Sequence, residues 1–173
     1  LRELHGGDCT DAEIARLANL AQQAGCTQII GLGGGKVVDT AKAVAEKLDL
    51  ATLIVPTIAA SDAPCSALAV VYGEDGKVDR DLFLKRSPDL VLVDTQMIAD
   101  APARFLAAGI GDALATWFEA ESCRQSGALN CLGLPGTDLA YTVARNCYDT
   151  ITQYGPQAIL LTGWPSRQQG YSW

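Results

Sequence analysis

A chain of 173 residues with 49% hydrophobic side chains is long enough to bury a core and falls within the single-domain size range. Its net charge of −7, with 13 basic residues scattered among 20 acidic ones, provides no clustered basic patch for nucleic-acid phosphates. Apolar runs stay well short of the roughly 20 residues that a membrane helix needs. We therefore expect neither nucleic acid nor a membrane as a partner.

The six cysteines are widely spaced and include no C-x-x-C pair. This spacing disfavours a zinc finger and a disulfide scaffold, and it predicts reduced thiols in a cytoplasmic protein. No basic stretch precedes an apolar one, so no secretion signal is predicted. The only histidine, His5, precedes two glycines in a predicted loop, where we do not expect a metal or acid–base role.

The first half of the chain alternates helix and strand signals. Thr10 and Glu13 have the spacing of a capping box, and apolar residues then recur at helical spacing as far as Gly25. A strand, a glycine turn, a helix and a second strand follow at residues 27–31, 33–35, 37–48 and 51–55. This order predicts a parallel sheet covered by helices on both faces.

The later pattern indicates a change of architecture. A hairpin and a short strand are predicted first, at residues 67–72, 82–84 and 90–94. Helical segments follow, at residues 102–108, 112–123 and 139–152. We place a domain boundary near Asp100, between an α/β half and a helical half. Residues 162–173 have no periodicity, and we interpret them as a truncated or frame-shifted end rather than a natural tail.

The glycine turn is a candidate anion site. It lies between a strand and a helix, where backbone N–H groups and the helix dipole converge on a negative charge. The standard fingerprints do not fit: a P-loop would need glycine at Ile30, and the dinucleotide G-x-G-x-x-G would need glycine at Lys36. A tight turn without a ligand is the alternative, and the lysine at the helix start favours phosphate binding.

Three segments carry a specific resemblance to a known family. Residues 33–42, GGGKVVDTAK, are similar to a G-G-G-K/S-x-x-D-x-A-K cofactor loop. Residues 56–68, PTIAASDAPCSAL, resemble a segment placed beside nicotinamide and substrate, and residues 101–120, APARFLAAGIGDALATWFEA, resemble a first metal-ligand segment. Together, over about residues 1–160, these segments resemble glycerol dehydrogenases of the iron-containing alcohol dehydrogenase superfamily.

The resemblance implies a fold and an activity. The fold is α/β, with a parallel-sheet NAD-binding domain over residues 1–100 that is incomplete at its N-terminus. The start of an all-helical metal and substrate domain follows over residues 101–173. The implied reaction is oxidation of glycerol or a similar small polyol to a hydroxyketone with NAD. It uses a divalent metal, zinc as in most glycerol dehydrogenases or iron as in relatives. The full-length parent is expected to be a homo-oligomer.

The resemblance also assigns residues. Gly35 and Lys36 would contact the cofactor pyrophosphate, with Gly33 and Gly34 shaping the turn. The positions that would line the cofactor are Thr57, Ser66, Leu68 and Tyr72. Asp62 would act in catalysis by hydrogen-bonding the polyol, and Asp112 would be the one aspartate among the metal ligands. Ala60 departs from the family, which usually has serine or threonine there, and its side chain offers no hydrogen bond to the cofactor.

Each carboxylate has a structural alternative. Asp112 follows a Gly-Ile-Gly stretch and could cap the next helix. Asp62 precedes an Ala-Pro pair and could be a turn residue. Asp39 could pair with Lys42 or Lys36, and we do not expect it to be catalytic.

The other predicted cofactor residues also have structural alternatives. Thr57 and Ser66 could be turn and cap hydroxyls. Leu68 and Tyr72 belong to a predicted strand and would be core or edge residues.

The expected metal site is incomplete in this sequence. The family supplies one aspartate and two histidines that come after it, whereas His5 lies on the wrong side of Asp112. We therefore expect these 173 residues alone neither to bind metal tightly nor to turn over glycerol. Two other functions stay open: a lyase similar to 3-dehydroquinate synthase, and a catalytically dead nucleotide-binding remnant. NAD and NADP are not distinguished.

Overall fold

A computed structural model describes residues 1–162 of the chain. They divide into two compact units, Leu1–Ile98 and a second that begins at Ala99, and each is described by itself. The interpretation of the C-terminal end concerns residues 162–173, of which 163–173 lie outside the described part. None of the helices within residues 1–162 is long and apolar enough to cross a membrane.

The first unit contains a parallel sheet, as predicted. Its elements in chain order are α1 (Asp11–Gln23), β1 (Gln28–Gly33), α2 (Gly35–Leu48), β2 (Ala51–Pro56), β3 (Leu68–Tyr72), β4 (Val78–Phe83) and β5 (Leu90–Val91). The strands β1, β2 and β5 form the parallel sheet in that spatial order, whereas β3 and β4 form a separate antiparallel pair. A short helix, α3 (Thr95–Asp100), follows β5. The α/β class is confirmed.

The start of α1 contains half of the predicted capping box. The Thr10 hydroxyl accepts a hydrogen bond from the Glu13 N–H at 3.2 Å. Glu13 does not return the bond to Thr10; its carboxylate accepts from the Gly6 N–H at 2.7 Å and from the Arg16 guanidinium at 2.7 Å. The glutamate therefore fastens the preceding segment, residues 1–9, to α1.

This arrangement makes stability depend on pH. Hydrogen bonds from Arg16, and secondarily from the Gly6 N–H, lower the pKa of Glu13 from its ordinary 4.5 to about 2. Its stabilising contribution is complete above pH 4.5 and is lost as the pH falls towards 2. We expect Glu13→Gln to lower the free energy of unfolding at pH 7 and to flatten its decline below pH 4.5. Urea unfolding at several pH values tests this.

Glu74→Gln in the exposed turn between β3 and β4 is the control, since it removes the same charge from another element. A Glu13→Gln profile that superimposes on the wild-type profile at every pH would contradict the expectation.

One face of the parallel sheet packs against α2. Val38 and Ala41 of α2 form a buried cluster with Ile54 of β2. On the opposite face, Ile30 and Leu32 of β1 are 56% and 60% exposed. Within the first unit, residues 1–98, the predicted cover on both faces is therefore not met, because α1 packs against α2 instead of against that face.

Several predicted boundaries shift for identifiable reasons. β1 runs two residues further than predicted because its pairing with β2 continues to Gly33 opposite Pro56. β5 covers only two of the five residues predicted. Asp94 ends that segment because its carboxylate accepts from the N–H groups of Gln96 and Met97, which starts the unpredicted helix α3.

The β3–β4 hairpin is confirmed, with a longer second strand. β4 begins at Val78 instead of residue 82, directly after the turn. Gly76 has φ +74°, a conformation that glycine adopts at little cost, and its N–H bonds to the Gly73 carbonyl at 3.0 Å.

The second unit is a pair of long helices, α4 (Ala103–Ser126) and α5 (Asp138–Leu161). The Gly-Ile-Gly stretch at residues 109–111 does not interrupt α4, and Pro156 does not end α5. Gly155 is buried, and a Cβ at this position would lie 3.5 Å from the Ile110 side chain. Trp117 stacks obliquely on Tyr141 with ring centroids 5.0 Å apart, so small and aromatic side chains hold the two helices together.

Candidate functional site

The glycines around the loop between β1 and α2 differ in what they permit. A Cβ at Gly31 would lie 2.6 Å from the Ala41 Cβ, and one at Gly33 would lie 2.8 Å from the Val37 Cβ. Both glycines therefore allow α2 to approach β1 closely. A Cβ at Gly35 would meet no heavy atom of the described residues within 4 Å. Packing within residues 1–162 gives no reason for glycine at this position, whereas a ligand on the backbone would.

The start of α2 has the features of an anion site. Gly34 is the N-cap and has no side chain to bond the N–H groups of the first turn, which also lack intrahelical acceptors. The end of β2 is fastened to this loop by a 3.0 Å bond from the Thr57 N–H to the Gly33 carbonyl. Backbone donors and the positive end of the helix dipole thus meet beside Gly33 and Thr57, two of the predicted cofactor residues.

Lys36 lies on the exposed side of this loop with partners that the sequence did not indicate. Its ammonium contacts the Asp8 carboxylate and lies 5.2 Å from the centre of the Tyr72 ring. The hydrogen bond to Asp8 raises the pKa of Lys36, so the side chain is cationic at neutral pH. The structure therefore brings together two predicted cofactor residues, Lys36 and Tyr72, and adds Asp8.

Asp62 lies in an exposed turn within residues 57–67, which form no regular helix or strand. Its carbonyl accepts from the Cys65 N–H at 2.9 Å, as expected for a turn residue. This bond uses the backbone carbonyl of Asp62 and not the carboxylate, which is the group predicted to bind the polyol. Ser66 is half-buried, and its hydroxyl lies 3.3 Å from the Lys42 ammonium. Leu68 begins β3 and is half-buried.

Asp39 pairs with Lys42, one of its two predicted partners, at 3.0 Å. Both side chains are buried in α2. His5, for which no metal role was expected, has its Nε2 2.9 Å from the hydroxyl of Thr40 on the same helix. Asp39, Thr40 and Lys42 of α2 thus all make polar contacts within the first unit.

Asp112 is exposed in the middle of α4. The alternative that it caps a helix is wrong, because α4 begins nine residues earlier at Ala103. A catalytic metal commonly has three protein ligands. Within residues 1–162, no three His, Cys, Asp or Glu side chains are grouped to hold an ion. The described residues therefore do not form a complete metal site around Asp112.

Comparison with known proteins identifies relatives of most of the chain. The family model for iron-containing alcohol dehydrogenases matches residues 3–95. The chain is 56% identical over 154 residues to the glycerol dehydrogenase of Thermotoga maritima, covering 89% of this chain and 42% of that protein. It is 52% identical over 155 residues to the glycerol dehydrogenase of Escherichia coli O6:H1, covering 90% of this chain and 42% of that one.

Solved structures show the same fold. A crystal structure of glycerol dehydrogenase from Schizosaccharomyces pombe superimposes with a TM-score of 0.85 at 39% identity, covering 92% of this chain and 40% of that one. A Sinorhizobium meliloti structure, named as a probable glycerol dehydrogenase, gives 0.87 at 45% identity, covering 93% and 45%. The chain thus spans less than half the length of these relatives. On the match to residues 3–95, which is more than half of its length, the chain belongs to the iron-containing alcohol dehydrogenase family.

Proposed function

We propose that this chain is part of an NAD-dependent dehydrogenase that oxidises glycerol or a similar small polyol to a hydroxyketone. The similarity to two glycerol dehydrogenases at 56% and 52% identity supports the substrate class. The observation that carries the proposal is the start of α2, where Gly35 faces open space beside the cationic Lys36.

The residues of the first unit would bind and orient the cofactor. The N–H groups at Gly35 and Lys36 would donate to the pyrophosphate, and the Lys36 ammonium would add a positive charge. Gly33 and Gly34 would keep the turn narrow enough for this contact. The cofactor would be lined by Thr57, Ser66, Leu68 and Tyr72. The bound NAD would accept the hydride, so the protein's own task is to fix its position.

The substrate would be oriented by Asp62. Its carboxylate can accept hydrogen bonds from polyol hydroxyls and thereby direct one secondary carbon towards the nicotinamide. Asp112 would supply one ligand to a divalent metal, zinc by the glycerol dehydrogenase resemblance. When bound, such an ion lowers the pKa of a coordinated alcohol.

We also propose that the protein works in the cytoplasm. All six cysteines are unpaired thiols, and Cys9 is fully buried in the core. Reduced thiols persist in the cytosol and tend to be oxidised in secreted proteins. Alkylation of cells lysed directly into denaturant, which exposes the buried Cys9, followed by mass spectrometry, should find all six labelled without prior reduction.

A chimeric enzyme tests the proposed activity. In this chimera, the aligned part of this chain replaces the matching 154-residue segment of the Thermotoga maritima glycerol dehydrogenase. The inserted segment of this chain carries the cofactor loop, Asp62 and Asp112, so NAD-linked glycerol oxidation by the chimera depends on these residues. We expect the chimera to oxidise glycerol with NAD, measured by NADH absorbance.

Two controls make the result specific. Asp62→Asn in the chimera should raise the KM for glycerol, because the amide cannot replace both carboxylate oxygens as acceptors. Asp75→Asn, in the exposed hairpin turn, removes the same charge elsewhere and should leave the kinetics unchanged. A chimera that folds and binds metal but does not oxidise glycerol would exclude the proposed substrate.

A further inference from the structure

Helix α2 buries two opposite charges that the proposed chemistry does not use. Its residues 38–45 are all buried, because the helix packs against β1 and β2, against β3 and against α1. The Lys42 side chain is 1% exposed, and its ammonium lies 3.0 Å from the Asp39 carboxylate. Burying a charge is costly unless it is paired and hydrogen-bonded, so the contacts of this pair define its role.

Those contacts lead to the segment that carries Asp62. The Lys42 ammonium donates to the Ala63 carbonyl at 2.7 Å and to the Leu68 carbonyl, and both oxygens of Ser66 lie 3.3 Å away. The second oxygen of Asp39 accepts from the Val70 N–H at 3.2 Å. One ion pair thus holds both the irregular segment and the beginning of β3.

We propose that Asp39 and Lys42 are positioning residues, which fix residues 62–68 relative to the cofactor loop at the start of the same helix. This inference rests on the proposed function, which assigns Asp62 to the polyol and Ser66 and Leu68 to the cofactor. Residues 57–67 form no regular strand that could hold them by a ladder of backbone bonds. The lysine supplies donors to their carbonyls instead.

The geometry excludes a direct chemical role for Lys42. An ammonium has three N–H donors, and Asp39, Ala63 and Leu68 occupy them. The side chain is buried, so it acts on a substrate only through the segment that it holds.

Amide hydrogen exchange on the 173-residue chain tests the positioning directly. Lys42→Met keeps the length of the side chain and removes its donors. We expect faster exchange in residues 63–70 and unchanged exchange in β1 and β2. Lys47→Met is the matched control, since it makes the same substitution at an exposed position on the same helix, and its exchange should equal that of the wild type. Equal protection of residues 63–70 in both variants would overturn the proposal.

A variant that fails to fold does not end the test. Lys42→Arg keeps the positive charge beside Asp39, but its planar guanidinium cannot direct donors to the same three oxygens. We expect it to fold and to show the same local increase in exchange. Wild-type exchange in residues 63–70 of this variant would contradict the positioning role.

Kinetics of the chimera distinguish positioning from mere stability. Small displacements of catalytic groups cost up to about a hundredfold in rate, so Lys42→Met should lower kcat/KM for glycerol by about tenfold or more. The KM for NAD should change less, because the pyrophosphate contacts lie at the helix start. A loss confined to the fraction of folded enzyme, with the kcat/KM for glycerol per folded molecule unchanged, would refute the inference. An inactive unmodified chimera would refute the proposed function instead, and the exchange result would still stand.

Discussion

Replacement of Asp112 by alanine is expected to remove the bound metal and nearly all glycerol turnover from the chimeric enzyme. Loss of even an outer contact to a metal ligand costs about 10- to 100-fold in affinity or activity, so loss of a ligand should cost about a hundredfold or more. The helix itself should tolerate the change. Asp112 lies nine residues inside α4, where alanine is the better helix former.

Metal content and turnover of the same preparation separate the two effects. Inductively coupled plasma mass spectrometry measures bound zinc and iron, and circular dichroism checks the helical content. Glu119→Ala is the matched control, since it removes another exposed carboxylate from α4. An Asp112→Ala enzyme with its full metal content and turnover would show that this carboxylate is not a ligand.

The position of Asp112 also shows where sequence patterns fail. Glycines at residues 109 and 111 favour a break between two helices, which made an N-cap at Asp112 plausible. A glycine in a helix costs only about 1 kcal/mol, which packing can offset. Ile110 between those glycines packs against the buried Gly155 of α5, and α4 continues. That contact joins residues 45 positions apart, so local sequence could not reveal it.

The first unit was predictable where its signals are local. The glycine loop between β1 and α2, the hairpin and the pairing of Asp39 with Lys42 each depend on residues close together in sequence. The partners of Lys36 and Lys42, in contrast, lie far from them in sequence. Lys36 contacts Asp8, 28 positions earlier, and Lys42 contacts backbone carbonyls 21 to 26 positions later. A backbone carbonyl has no sequence signature, so a structure was needed to connect α2 with the segment of Asp62.

Gly31 in β1 and Gly35 at the start of α2 should respond differently to an added methyl group. Gly31→Ala is expected to lower the free energy of unfolding by about 1–3 kcal/mol, the usual cost of overpacking a core. Its Cβ would lie 2.6 Å from the Ala41 Cβ and 3.0 Å from the Ile54 side chain, so α2 must move away from β1. Urea unfolding of the 173-residue chain measures the loss.

Gly35→Ala is the matched substitution, four residues away and at the first position of α2. Its Cβ would meet no atom within 4 Å in the described part of the chain, so we expect unchanged or slightly higher stability. In the chimera, the same methyl group should raise the KM for NAD, because it would stand where the pyrophosphate approaches the backbone. If Gly35→Ala bound NAD normally, the loop would be a tight turn and the cofactor site would lie elsewhere. If Gly31→Ala were as stable as Gly35→Ala, the role assigned to Gly31, close packing of α2 on β1, would be wrong.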